Sequence, residues 1–410
     1  MNSPASFCWQ GRRYSVSWKK TEKRLFDGDL MSYPEESRKD LKSRILGIFA
    51  KVDFIQLIAM IGLITFGVVF IYGTGQQVGD KAAFLWKKQL IWAGMGFAVW
   101  ILMAFFLDYR KLLEFTPFFY LACLIGLVLV LKLGVDLNGA RRWFSFAGVS
   151  IQPSEFAKFG VLLMAAWMLS IKGFDVNKLT HLFILGVACG VPFLLVVIEP
   201  DLGTSIVFIP MICAVLFSAG LKWKWIFLGL FLAAAAVPSI YPFLKEYQKE
   251  RIRVFLNPER DPENRGWNSL QSQLAVGSGG AFGKGFMQGT QNTLGFLPKN
   301  VSYTDFIYSV IAEESGFVGA VTVVFLYCLL IFSALRAAVF APDNFGRYIA
   351  VGIAGVFFAH SFVNIGMTIK LMPITGIPLP LISYGGTFMI VTMVFLGFIQ
   401  SIYSRRQTIW

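Results

Sequence analysis

Asp305 closes the longest polar stretch of the chain, residues 253–305, where apolar sequence resumes with Phe306. A carboxylate at such a boundary has two uses. It can complement the positive end of the next helix, and Ser302-x-x-Asp305, or Thr304, has the spacing of a cap. It can also take the proton of a weak nucleophile such as a sugar hydroxyl. The residues alone leave both open. The same stretch holds Gly277, Gly279, Gly280, Gly283, Gly285 and Gly289. Such glycines allow close backbone approach, and successive N–H groups can cradle phosphate. The pattern GxxxxGK[ST] is absent, so this is not a nucleotide P-loop.

Further clusters precede and follow it. Arg141, Arg142 and Trp143 lead into Gln152, Ser154, Glu155 and Lys158. Adjacent arginines suit a pyrophosphate or an interfacial anchor. Glu155 and Lys158, three apart, meet on one helix face as an ion pair or a cavity wall. Glu199-Pro200-Asp201 and the Pro378, Pro380, Gly385-Gly386 stretch break apolar runs, which membranes tolerate around buried or watery space. The five cysteines form no disulfide framework or CxxC site, and His181 and His360 lack ligand spacing.

The elements that must carry these residues are membrane spans. Hydrophobic residues are 56% of the chain and gather in long runs. The expected fold is an all-α integral membrane protein of about ten transmembrane helices, near 54–72, 90–107, 115–133, 153–171, 182–198, 202–219, 225–243, 306–335, 348–369 and 387–403. A large extracytoplasmic loop, 244–305, lies between the seventh and eighth. Residues 1–50 read as a basic cytoplasmic tail without a cleavable signal, with Met31 as an alternative start, 51–404 as the membrane domain and 405–410 as a short cytoplasmic end. Basic residues after the even-numbered spans place both termini in the cytoplasm, with Lys81, Lys87 and Lys88 arguing weakly against. This bias, rather than nucleic-acid binding, accounts for much of the net charge of +13.

On the stretches RRWFSFAGVSIQPSEFAK, EPDLGTSIVF, QSQLAVGSGGAFGKGFMQGTQNTLGFLP, TDFIYSVIAEESGFVGA and GIPLPLISYGG, the chain resembles the SEDS family (shape, elongation, division and sporulation). GKG…GTQ…FLP and GIPLPLISYGG are similar to its RodA-like, rod-elongation branch. The resemblance implies a ten-span peptidoglycan glycosyltransferase of the bacterial inner membrane that polymerises lipid II. It implies Asp305 as the catalytic base and Arg141, Arg142, Gln152, Glu155, Lys158, Gly279, Gly280, Lys284 and Gln291 as substrate-binding residues. It also implies a class B penicillin-binding protein transpeptidase and the elongation machinery as partners. A divalent cation, magnesium or manganese, beside the pyrophosphate is compatible with it; no metal cage is visible and no organic cofactor is expected. The chain departs from the family's FLPE.HTDF by reading FLPKNVSYTDF, with Lys299 for the acid and Tyr303 for the histidine. A lipid II flippase, or a non-catalytic scaffold for the transpeptidase, remains the competing expectation.

Overall fold

The computed structural model describes residues 51–406 except 79–81, 138–139, 147–148, 200, 241, 243–245, 262–264 and 299–300. The basic 1–50 tail, Met31, Lys81, Pro200, Lys299 and residues 407–410 lie outside the described residues. Among the described residues, ten helices of at least 17 residues follow the expected order. They are α1 (Phe54–Val78), α2 (Leu85–Ile101), α3 (Leu112–Leu133), α4 (Pro153–Ser170), α5 (Leu179–Ile198), α6 (Leu202–Ser218), α7 (Trp223–Ile240), α10 (Ile307–Val339), α11 (Asn344–Thr368) and α12 (Gly386–Ser404). Between α7 and α10 lie α8 (Glu246–Leu256), α9 (Arg265–Ser278) and a helical turn, Thr290–Thr293. Seven helical segments are long and apolar enough to cross a membrane, and Leu202–Ser218 is a shorter apolar helix. The 18 residues of α4 include Glu155 and Lys158, which lower its apolarity.

The helices differ in what surrounds them. Of the most apolar window of α11, 78% is buried, against 17% for the segment containing α3, so α11 is the central post and α3 faces outward. Apolar surface gives little drive for association when the solvent is lipid, so close backbone approach through small residues matters more. Gly352 and Gly355 give α11 that approach. A methyl group at Gly352 would lie 2.1 Å from Leu162 Cδ1 of α4, and one at Gly355 would lie 2.9 Å from Met211 Cα of α6.

Three local features set up the functional end. A small antiparallel sheet, β1 (Val135–Leu137), β2 (Ala140–Phe146) and β3 (Val149–Ile151), lies between the third and fourth expected spans, ahead of α4. Its register pairs Val135 with Trp143 and Phe144 with Ile151, so the arginine pair is held on a strand. Pro153 then starts α4, where its missing N–H costs nothing. At the α5–α6 break, Asp201 caps α6 by accepting from the Thr204 N–H at 3.1 Å.

The third feature is a break inside α10 at Gly316, whose backbone (φ 67°, ψ −163°) is closed to residues with a side chain. The glycine-rich segment takes up the hydrogen bonds that the helix loses there. Phe317 and Val318 donate to the Gly280 and Ala281 carbonyls at 2.8 and 3.1 Å, and Lys284 and Gly285 donate to the Glu313 and Glu314 carbonyls at 3.0 Å each. Any β-carbon at Gly283 would fall 2.1 Å from the Glu314 carbonyl oxygen. The glycines here admit one backbone into another.

At the opposite end, Asp53 is fully buried and ties three helices together. It accepts from Ser333 Oγ at 2.7 Å and pairs with Arg336 of α10, and its N–H donates to Gln400 of α12 at 3.0 Å.

Candidate active site

A cavity of about 310 Å³ opens where the starts of α4, α6, α10 and α12 converge on α11. Its walls bring together Arg142, Gln152, Glu155 and Asp305 from the sequence-predicted set, with Asp201, Thr204 and His360 beside them.

Asp305 stands in the turn just before α10. The capping reading does not survive: Phe306 occupies the N-cap position and no side-chain cap hydrogen bond is made there. The backbone around Asp305 is held instead. Asn364 Nδ2 of α11 donates to the Asp305 carbonyl at 2.9 Å and to the Ile377 carbonyl at 2.6 Å. Ser383 Oγ donates to the Thr304 carbonyl at 2.6 Å, and the Tyr384 N–H donates to the Tyr303 carbonyl at 3.0 Å. The SYGG segment thus clamps the turn, and Tyr303 packs edge-on against Tyr384. Gly376, in the left-handed region at φ 73°, passes close enough that a β-carbon there would sit 3.4 Å from Asp305 Oδ2. No described residue donates a hydrogen bond to that carboxylate, which is left facing the cavity. Burial pushes the carboxyl up to about 6, and the Arg251 guanidinium of α8 opposes the rise. Arg251 is anchored by donating to the Thr375 carbonyl at 3.3 Å.

Asp201 is the structural opposite, because its oxygens are occupied. Gln152 Nε2 donates to it at 2.7 Å, Thr204 Oγ1 at 2.8 Å and Ser154 Oγ at 3.4 Å, and Arg142 Nη1 lies 3.8 Å away. Arg142 Nε also donates to the Glu199 carbonyl at 3.1 Å. The Glu199 carboxyl is buried, and neither of its oxygens has a hydrogen-bond partner among the described residues. Burial, reinforced by the Asp201 charge and opposed by Arg142, pushes it up to about 8, so it is protonated at neutral pH.

Lys158 does not reach the cavity, contrary to its expected substrate-binding role. It is fully enclosed and donates to Glu155 Oε1 at 2.9 Å, because a buried ammonium needs a counter-charge more than it needs a ligand. Gly279, Gly280, Lys284 and Gln291 are likewise elsewhere. Gly279 and Gly280 belong to the backbone splice beside α10. Lys284 Nζ donates to Glu313 Oε1 at 2.7 Å, and the Gln291 N–H donates to the same oxygen at 3.1 Å. Glu313 is buried within α10 and takes up both donors. Arg141 lies on β2, and its side chain is outside the described residues. Sequence reasoning weighed His360 only for metal ligation and passed over Glu313 and Glu314, although each is an ionisable residue inside a predicted span, which is itself a signal. Nothing in the polar stretch singled out Arg251.

Among the described residues, no group of three or more His, Cys, Asp or Glu side chains is placed to hold a metal ion. A divalent cation would therefore find no ready protein cage among the described residues and would be held chiefly by substrate oxygens.

A multi-helix bundle with an acid-lined cavity at the mouth of its central helix defines a polytopic membrane protein with a built polar site. Residues 52–408 match the sequence model of the FtsW/RodA/SpoVE family, described as cell cycle proteins, and the chain belongs to that family. It is 38% identical over 358 residues to the peptidoglycan glycosyltransferase MrdB of Escherichia coli K12, covering 87% of this chain and 94% of that one. It is 32% identical to the peptidoglycan glycosyltransferase RodA of Treponema pallidum, over 88% of this chain and all of that one. Among solved structures, it is similar to RodA of Thermus thermophilus (TM-score 0.65, 28% identity, 87% of this chain and 98% of that one). It is also similar to a chain solved in a study of polymerization and crosslinking by a peptidoglycan synthase complex (TM-score 0.74, 31% identity, 86% of this chain and 97% of that one).

Proposed function

We propose that the chain is a peptidoglycan glycosyltransferase that polymerises lipid II during cell-wall elongation. The observation that carries this is the Asp305 carboxylate, clamped through its backbone, without a hydrogen-bond donor among the described residues and sharing a cavity with Arg142. Asp305 accepts the proton of the GlcNAc 4-hydroxyl as that oxygen attacks the anomeric carbon of MurNAc. Configuration inverts, and undecaprenyl pyrophosphate departs. The leaving group is already good, so one base and cationic stabilisation of the pyrophosphate suffice. Arg142, held by Asp201 and the Glu199 carbonyl, is the cation at hand. A magnesium or manganese ion, carried in on the pyrophosphate oxygens, would supply charge neutralisation at the leaving group.

The similarity to the rod-shape-determining protein RodA of Thermus thermophilus supports the elongation role. The similarity to a synthase complex supports a crosslinking partner, a class B penicillin-binding protein. The placement of basic residues supports the bacterial cytoplasmic membrane, with both termini inside and the 244–305 stretch outside.

The test compares purified wild-type and Asp305→Asn protein, each with its partner, lipid II and a divalent cation, with moenomycin silencing glycosyltransferases of the other class. Glycan strands from wild type, with a rate about 10²–10⁴-fold lower in Asp305→Asn, are expected. Equal polymer from both removes Asp305 as the base. Polymer from neither folded protein overturns the enzyme reading.

A further inference from the structure

His360 lines the cavity, yet its bonding denies it any proton-transfer role. Lys158 Nζ lies 3.0 Å from His360 Nε2, and His360 Nδ1 lies 3.1 Å from the Pro378 carbonyl. An ammonium can only donate and a carbonyl can only accept, so Nε2 carries the lone pair and Nδ1 the proton. The ring is neutral, and both of its nitrogens are occupied.

The consequence passes to Glu155. Lys158 has three N–H groups and no exposure to solvent. One goes to Glu155 Oε1, one to His360 Nε2, and the Phe388 ring lies 5.9 Å from the ammonium. Glu155 is on the cavity wall, and with Lys158 held this way its Oε2 stays buried just beneath that wall without a partner among the described residues. Without His360, an N–H would be left unmade inside the protein, a cost the ammonium can lower by turning onto the second carboxylate oxygen.

We propose that His360 is a positioning residue which, through Lys158, keeps Glu155 Oε2 open as a hydrogen-bond acceptor for the hydroxyl or amide groups of the lipid II sugars. This rests on the glycosyltransferase reading of the same cavity. The role is not general acid–base chemistry, and it differs from that of Asp305, whose carboxylate has no such support.

The test uses the full-length chain with its partner and measures lipid II affinity and polymerisation rate separately. His360→Leu removes the acceptor. His360→Asn ends near the Nδ1 position and loses it too, whereas His360→Gln places an amide oxygen near Nε2. The expected result is a loss of about tenfold or more in affinity and rate for His360→Leu and His360→Asn, with His360→Gln recovering to within about threefold of wild type. On a Glu155→Gln background, His360→Leu should cause no further loss, because the two act as one unit. Additive losses, wild-type behaviour of His360→Leu, or His360→Gln as poor as His360→Asn would each overturn the proposal. If His360→Leu does not fold, the Asn and Gln pair decides. If wild type binds lipid II without polymerising it, the enzyme reading fails and the affinity series still decides the role of His360. A wild type that does neither overturns both.

Discussion

Asp305 has its charge set by two opposing neighbours, burial and Arg251. A base works in its ionised form, so polymerisation should rise with pH and level off above about 6. Arg251→Gln removes the cation that favours ionisation. The carboxyl then rises further, and the acid limb of the rate profile moves to higher pH. Initial rates of both proteins between about pH 5 and about pH 8 check this, and coincident limbs would rule it out. Other groups around the same cavity are Arg142, Glu155, Asp201, His360 and Tyr384. They are unchanged in the variant, so the displacement reports Arg251 alone.

At the scale of elements, the helices were legible because a membrane demands long apolar runs, and the chain supplies them in order. The residues alone left Asp305 open between a helix cap and a base; the resemblance is what grouped it with Arg142, Gln152 and Glu155, and the structure brings these four to one cavity. The β1–β3 sheet was missed although Asn138-Gly139 is a hairpin-turn signal, because strands of three to seven residues between long apolar runs show no clean alternation. The glycine-rich segment was misread for a physical reason: glycine permits close approach without saying what approaches. Here it is the backbone of α10 rather than a phosphate. Gly316→Ala tests that. The new methyl would meet Gly283 N at 2.2 Å while occupying a left-handed backbone position. The expected cost is about 3 kcal/mol or more, seen as a lower melting temperature of the solubilised protein. A melting temperature equal to wild type would show that the splice carries no stability.

Across the whole molecule, the two ends are built differently. The Asp53 end is tied by a buried charge, its arginine and glutamine side chains, whereas the Asp305 end surrounds a cavity. From the break at Gly316, α10 runs a further 20 residues to Arg336, roughly 30 Å of helical rise. Asp53→Ala should therefore cost about 3–5 kcal/mol by stranding Arg336, yet leave lipid II affinity of the surviving folded protein intact. Thermal melting and binding together check this, and a loss of affinity at unchanged stability would contradict it. The splice between residues 280–285 and the break in α10 has a different consequence, for biogenesis. A helix with four displaced backbone hydrogen bonds is an incomplete passenger for a bilayer, which satisfies none of them. The segment that completes it is synthesised about thirty residues earlier, so it has left the ribosome before α10 does. The four backbone hydrogen bonds of α10 at its break are completed only when the preceding loop docks, and the order of translation delivers that loop first.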